Sequence, residues 1–300
     1  MHKNRTRVVC LAMLAMALAT LGLAGGASAK LVGEFTRFQN CPWKTAGVER
    51  CLHSVTSGGT FILGNKTVTI DKEVTLQGGY TEPTEEGPEA GFSKFFAATN
   101  GVTLSKASLA VPGGLLGIVP PESSPPLVKL LSKFFFENSL TGVNSTMELA
   151  KPATDIRISE LNLALGEGVT LKLPVRIKLD NPFLGKNCYV GSSTTPIKLE
   201  LRPDTTSPPA PNKPITGNPG TVTFLEKARI LRLSGVELVD NAWSAPTATG
   251  CGGLLAFLVN PIINTQVGLP AAAGKNTAIL KNTVHTTTSF ALKKVDEENP

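Results

Sequence analysis

The sequence predicts a mainly β protein, an antiparallel β-sandwich-like domain with one or two short helices and long Pro/Gly-rich loops. Two observations carry that prediction. Val169, Leu171, Leu173, Val175, Ile177 and Leu179 alternate with Thr170, Lys172, Pro174, Arg176, Lys178 and Asp180, and a period of two puts every apolar side chain on one face of a strand. Elsewhere short β-branched runs are separated by turn residues, in a chain that holds 29 Gly and 22 Pro.

The chain opens with Lys3, Arg5 and Arg7 and no acid, then an apolar run from Val8 to Leu21, then Ala27-Ser28-Ala29. A charged start, an apolar stretch and an A-x-A site are the parts of a secretory signal peptide, so residues 1–29 are expected to be removed after Ala29. The run is shorter than the roughly 20 residues of a spanning helix, and no later run in the mature chain is long enough. Removing the segment takes three of the 29 Lys and Arg and none of the 23 Asp and Glu, which leaves a net charge of +3. With no basic cluster or basic-aromatic stripe, nucleic acid is not an expected partner.

Residues 30–300 are read as a single β-rich domain. Thr60–Leu63, Thr67–Ile70 and Glu73–Gln77 are three short strands split by Gly64-Asn65-Lys66 and Asp71-Lys72 and closed by Gly78-Gly79, a meander at one edge of the sandwich. A Pro/Glu/Gly-rich loop follows from Thr81 to about Gly91, and Leu109–Pro126 is a second loop. Leu127, Leu130, Leu131 and Phe134 recur at helical spacing after a double proline, and this short amphipathic helix is expected to cover the open face of a sheet. Phe134-Phe135-Phe136 raises membrane contact as the alternative.

Pro174 within the long strand suggests an edge, a bulge or a break. Ile197–Arg202 alternates in the same manner, with basic outer residues that deter edge pairing. Residues 205–220 hold five prolines and form a loop or a linker. Strands are expected at Thr221–Leu225, Ala228–Leu233 and Val236–Val239, with Trp243 as a core anchor. Gly253–Val267 is a helix interrupted by Pro261 and is expected to cap the core, half-buried or buried. Asn276–Leu292 is the final strand, and Asp296–Pro300 a frayed acidic tail.

Four cysteines remain in the mature chain, Cys41, Cys51, Cys188 and Cys251, and an even number in an exported chain points to disulfides. Three connectivities are possible. Cys41 with Cys51 would close a local loop that has little else to order it, and Cys188 with Cys251 would tie two distant loops. No C-x-x-C occurs, and His53 and His285 are read as standing alone, each an ordinary surface or strand residue, so no metal site is expected.

No nucleophile elbow, zinc motif, Walker loop or dinucleotide fingerprint is present. No catalytic or cofactor-binding residue, and no cofactor, is therefore assigned. A carboxylate pair needs no fixed spacing, and Asp155, Glu160, Asp180, Glu226, Glu237 and Asp240 are the acids to inspect.

Gly59-Thr60-Phe61, Leu63 to Val68, Val74 to Gly79, Asn181 to Gly191, Ser207-Pro208-Pro209, Val239-Asp240-Asn241 and Gly250-Cys251-Gly252-Gly253 together carry a resemblance. The mature chain resembles a family of exported actinobacterial proteins of unknown function. The resemblance implies export and the four-cysteine plan and brings no active site with it. The expected function is a non-enzymatic protein that is secreted or associated with the cell surface, where it binds or builds, with a cell-wall or surface glycan as the candidate partner. The rival readings are a secreted carbohydrate-active enzyme and an envelope pore subunit.

Overall fold

The computed structural model describes residues 31–116, 122–136 and 141–299. The signal segment 1–29, with Ala27 and Ala29, lies outside them. The strands are β1 (Arg50–Leu63), β2 (Lys66–Thr69), β3 (Val74–Tyr80), β4 (Ser93–Ala97), β5 (Ser108–Val111), β6 (Val143–Leu149) and β7 (Arg157–Ile158). They continue with β8 (Leu171–Asp180), β9 (Tyr189–Val190), β10 (Ile197–Leu201), β11 (Thr221–Leu225), β12 (Ile230–Asp240), β13 (Ala248–Thr249) and β14 (Thr277–Thr288). The α-helices are α1 (Pro126–Phe136), α2 (Glu160–Leu165), α3 (Ala256–Val267) and α4 (Ser289–Glu298).

The strands form one 14-stranded sheet whose neighbours run β11-β12-β14-β1-β3-β4-β7-β8-β6-β5, with β2 on β1, β9 and β10 on β8, and β13 on β9. Every pairing is antiparallel, which gives the β-sandwich-like architecture that the alternation predicts. The two faces meet on both sides. On one side β4 turns the corner, pairing with β3 through Phe95–Ala97 and with β7 through Ser93 and Lys94. On the other, Arg202 N–H donates to Val239 O at 3.0 Å and Val239 N–H to Arg202 O at 2.8 Å, so the end of β10 is bonded to β12. The sheet thus folds back on itself as a flattened barrel.

Alternation sends one set of side chains inward. Leu52, Phe61 and Leu63 of β1, Leu233, Val236 and Leu238 of β12, Ala278, Leu280 and Val284 of β14, and the odd residues of β8 belong to one buried cluster. Parity changes partway along two of these strands because the register slips between Thr56 and Gly58 and between Leu233 and Val236. Each slip is a β-bulge that adds one residue and flips the side chains beyond it. A second cluster lies outside the barrel at one end, where Phe35 and Phe38 of the 3-10 helix Gly33–Phe38 pack with Ile230 and with Leu292 of α4.

Several elements depart from the sequence expectation. β1 and β3 lie in the middle of the sheet and not at its edge, and β3 continues through Gly78 and Gly79 to Tyr80. Those glycines permit close approach, since a Cβ on Gly78 would meet Phe96 O and one on Gly79 would meet Val48. The loop expected from Leu109 begins as β5. Pro174 breaks nothing in β8. Its carbonyl accepts from Ala150 N–H, so its missing donor faces the gap where the partner strand changes from β7 to β6. The strand expected to reach Leu292 stops at Thr288, whose hydroxyl accepts from Ala291 N–H and caps α4. Consequently the expected frayed tail is helical to Glu298, with Asp296 paired to Lys44 and Glu298 to Arg229. Residues 205–220 fold back on the barrel, through Asn218 to Glu237 and through the Asn212 amide to the carbonyls of Asn241 and Asn276.

α1 does not cover a sheet, because Leu127, Val128, Leu130 and Leu131 are exposed. The side chains of Phe134, Phe135 and Phe136 lie outside the described residues. α3 caps the core half-buried, with Ile263 and Val267 in the main core cluster and Val259 packed against it, while Phe257, Leu258 and Ile262 are exposed.

Both expected disulfides form, Cys41–Cys51 and Cys188–Cys251, with sequence separations of 10 and 63. A crosslink stabilises mainly by restricting the unfolded chain, and more so over a longer loop. Replacing Cys188 and Cys251 by Ala should therefore cost about 4 kcal/mol, and replacing Cys41 and Cys51 about 3 kcal/mol. Denaturant unfolding of the two double variants checks that order.

Candidate functional site

The two faces of the barrel do not fill the space between them. A cavity of about 110 Å³ remains, with Leu171, Leu173, Ile177 and Leu179 of β8 on one side and Phe61, Leu76, Leu238 and Leu280 on the other. Leu109 and Val111 of β5 and Met147 of β6 line its flank, and Val267 reaches it from the end of α3. The void has a sequence origin. Ser54, Thr56, Ser105, Ala107 and Ser145 also line it, and these small side chains stand at places where Leu or Phe would close the interior.

The polar atoms on the wall are largely committed to the protein. Thr56 Oγ1 donates to Asn282 Oδ1 at 2.6 Å, Asn282 Nδ2 to Leu280 O at 2.9 Å, and Ser145 Oγ to Leu109 O at 3.3 Å. Ser105 Oγ accepts from Thr75 N–H at 2.7 Å. A cavity whose polar groups are satisfied offers its contents mainly dispersion and burial, and at about 110 Å³ this one is smaller than the apolar cavity of about 150 Å³ that admits benzene.

Lys66 is the exception. It lies on the cavity wall in β2, is half-buried, and is held below the usual lysine range by that burial. Among the described residues no carboxylate pairs with it. An unpaired ammonium beside an apolar void favours an anion that arrives with the ligand.

The barrel end away from Lys66 is locked by polar contacts. Glu160 at the start of α2 accepts from Tyr80 OH at 2.9 Å, from Thr286 Oγ1 at 3.0 Å and from Arg50 Nη1 at 3.2 Å. This joins β3, β14 and β1. Burial raises the Tyr80 phenol well above its ordinary range, and the neighbouring Glu160 carboxylate adds to the effect.

The other acids noted in the sequence are engaged separately. Asp155 pairs with Lys151 and Asp180 with Lys178, while Glu237 lies 4.0 Å from Lys281. Asp240 accepts from Glu200 N–H and Ala242 N–H, and burial raises its pKa. Glu226 sits at a turn position with positive φ. Among the described residues no group of three or more His, Cys, Asp or Glu is placed to hold a metal ion.

His53 and His285 do not stand alone. The β1/β14 register sets them opposite each other with ring centroids 6.4 Å apart, in a row on the outer face that runs from Arg232 through both histidines to Gln77. Arg37 lies across the row, with Nη1 3.1 Å from His285 Nε2, and it also pairs with Glu34. Burial, then the positive charge of Arg37, holds His285 down at about 4 and lowers His53 as well. Sequence reasoning missed this pair because 232 residues separate the two strands' partners along the chain, and only the register unites them.

The folded chain keeps His285 neutral down to about pH 4, while the unfolded chain takes up the proton near its ordinary value of 6.5. Protons bound only by the unfolded state make stability fall as pH drops through that window. A loss of about 1–3 kcal/mol is expected between those limits. Thermal unfolding of His285→Gln should show a flatter profile there than the wild type. No family model, curated protein or solved structure matches this chain.

Proposed function

We propose that this is an exported, non-enzymatic binding protein of the cell surface, and that its ligand is an amphiphile with an acyl-type chain and an acidic head. The observation that carries the reading is the aliphatic cavity with the unpaired Lys66 on its wall. A short segment of the chain would fit the interior as it stands and a longer one would require the walls to part, with each buried methylene contributing about 0.8 kcal/mol. The acidic head would lie against the Lys66 ammonium.

Export is supported by the signal-like start and by two disulfides, which persist in oxidising compartments. Among the described residues no helix is long and apolar enough to cross a membrane. A glycan partner has less support. Tyr80 and Trp243 are buried, Tyr189 lies under Arg176, and Trp43 lies under Lys44, which leaves no tyrosine or tryptophan free as a sugar platform among the described residues. A pore has less support still, since aliphatic side chains line the interior and Lys172, Arg176, Lys178 and Lys198 occupy outward positions on β8 and β10 where a lipid-facing band would be apolar.

Displacement of a fluorescent fatty acid tests the reading. The wild type should bind it, Lys66→Met should bind about tenfold more weakly, and Ser54→Leu should fill the cavity and abolish binding. Retention on a polysaccharide panel without fatty-acid binding would contradict it.

A further inference from the structure

We propose that the barrel end formed by α3 and the 181–188 loop docks on a lipid surface. This inference rests on a surface distinct from the cavity wall and stands without the ligand reading. Leu254 is 99% exposed, Phe257 72% and Phe183 62%, and Leu255, Leu258 and Ile262 are exposed beside them. The two segments meet directly, because Gly252 N–H donates to Leu184 O at 2.7 Å and the Cys188–Cys251 disulfide joins them.

The exposure is built in. The Asn260 side chain accepts from Cys251 N–H at 2.9 Å, and Asn264 accepts from Ala248 N–H at 2.7 Å while donating to Ala248 O at 3.2 Å. α3 is therefore anchored by its polar residues and by Ile263 and Val267, and its largest apolar side chains are turned to solvent. Several large apolar groups held in solvent as one patch mark an interaction surface.

Charge selects the partner. No charged residue occurs between Asp240 and Lys275, so nothing on α3 resists entry into hydrocarbon. Lys186, exposed and without an ion pair among the described residues, follows Phe183 by three positions in the same loop. Asp180, the acid nearest this loop in sequence, is already paired with Lys178. An uncharged apolar patch with a cation in its loop matches an anionic bilayer, with hydrocarbon for the apolar groups and head groups for Lys186. A leucine as exposed as Leu254 suits insertion into a fluid phase, whereas a protein partner would need a formed hole for it.

The test is flotation of the purified exported protein with mixed phosphatidylcholine and phosphatidylglycerol vesicles. The wild type should rise with the vesicles, and a Leu254→Ser, Phe257→Ser, Lys186→Glu variant should bind at least about fivefold less. Its substituted side chains are exposed, so its unfolding midpoint and its fatty-acid displacement should match the wild type. Wild-type protein that stays below the vesicles, or a variant that floats equally well, would overturn the proposal. So would a concentration-dependent dimer in light scattering that the variant abolishes without any flotation, since a second copy would then be the occupant.

Discussion

The reciprocal hydrogen bonds between Arg202 and Val239 determine what kind of object this sheet becomes. Without them β10 and β12 would be neighbouring edges, and the aliphatic residues of β8 and β14 would face a slot open to water. With them, and with β4 turning the opposite corner, those residues face one another in a closed interior. Closure also removes two edges that would otherwise invite pairing with another chain. Asp240 reinforces the seam by accepting from Glu200 N–H at 2.7 Å, which is why a carboxylate is tolerated in a buried position there.

The two ends of the barrel differ in chemistry. At one, Glu160 gathers Tyr80, Arg50 and Thr286, and the 3-10 helix with the Cys41–Cys51 bridge packs over the outside with α4. Directional contacts of this kind fix strand ends and leave little freedom. At the other end, the strands finish in α3, the 181–188 loop and the β5–β6 connection that carries α1, and the side chains there are apolar and exposed. The cavity lies towards this second end, bounded by Leu63, Lys66, Val111 and Val267. A hydrophobic compartment thus adjoins a hydrophobic surface.

Much of the strand content was legible because the inward residues of β8 and β10 recur with a period of two throughout, and those of β14 as far as Val284. β1 and β12 were read as short pieces because their bulges reverse the parity midway, so that neither shows one continuous face. Of the three possible disulfide connectivities, the one that forms is the favoured one, a local loop and a long tie. The cavity was not legible. It arises from small residues distant in sequence, Ser54, Ser105 and Ser145, which meet only after the sheet closes. The exposure of α3 was hidden for a related reason, since an apolar run reads as buried until the polar anchors Asn260 and Asn264 show which side faces the protein.

The central claim is that the closed barrel holds an acidic amphiphile. Native mass spectrometry of the protein, purified from its native host without detergent and compared before and after solvent extraction, addresses it most directly. The account predicts one added mass per chain that leaves on extraction and is identified as an acyl-type acid, with Lys66→Met carrying less of it. A chain that arrives bare and stays bare when incubated with fatty acids, or an adduct that proves to be a sugar, would contradict it.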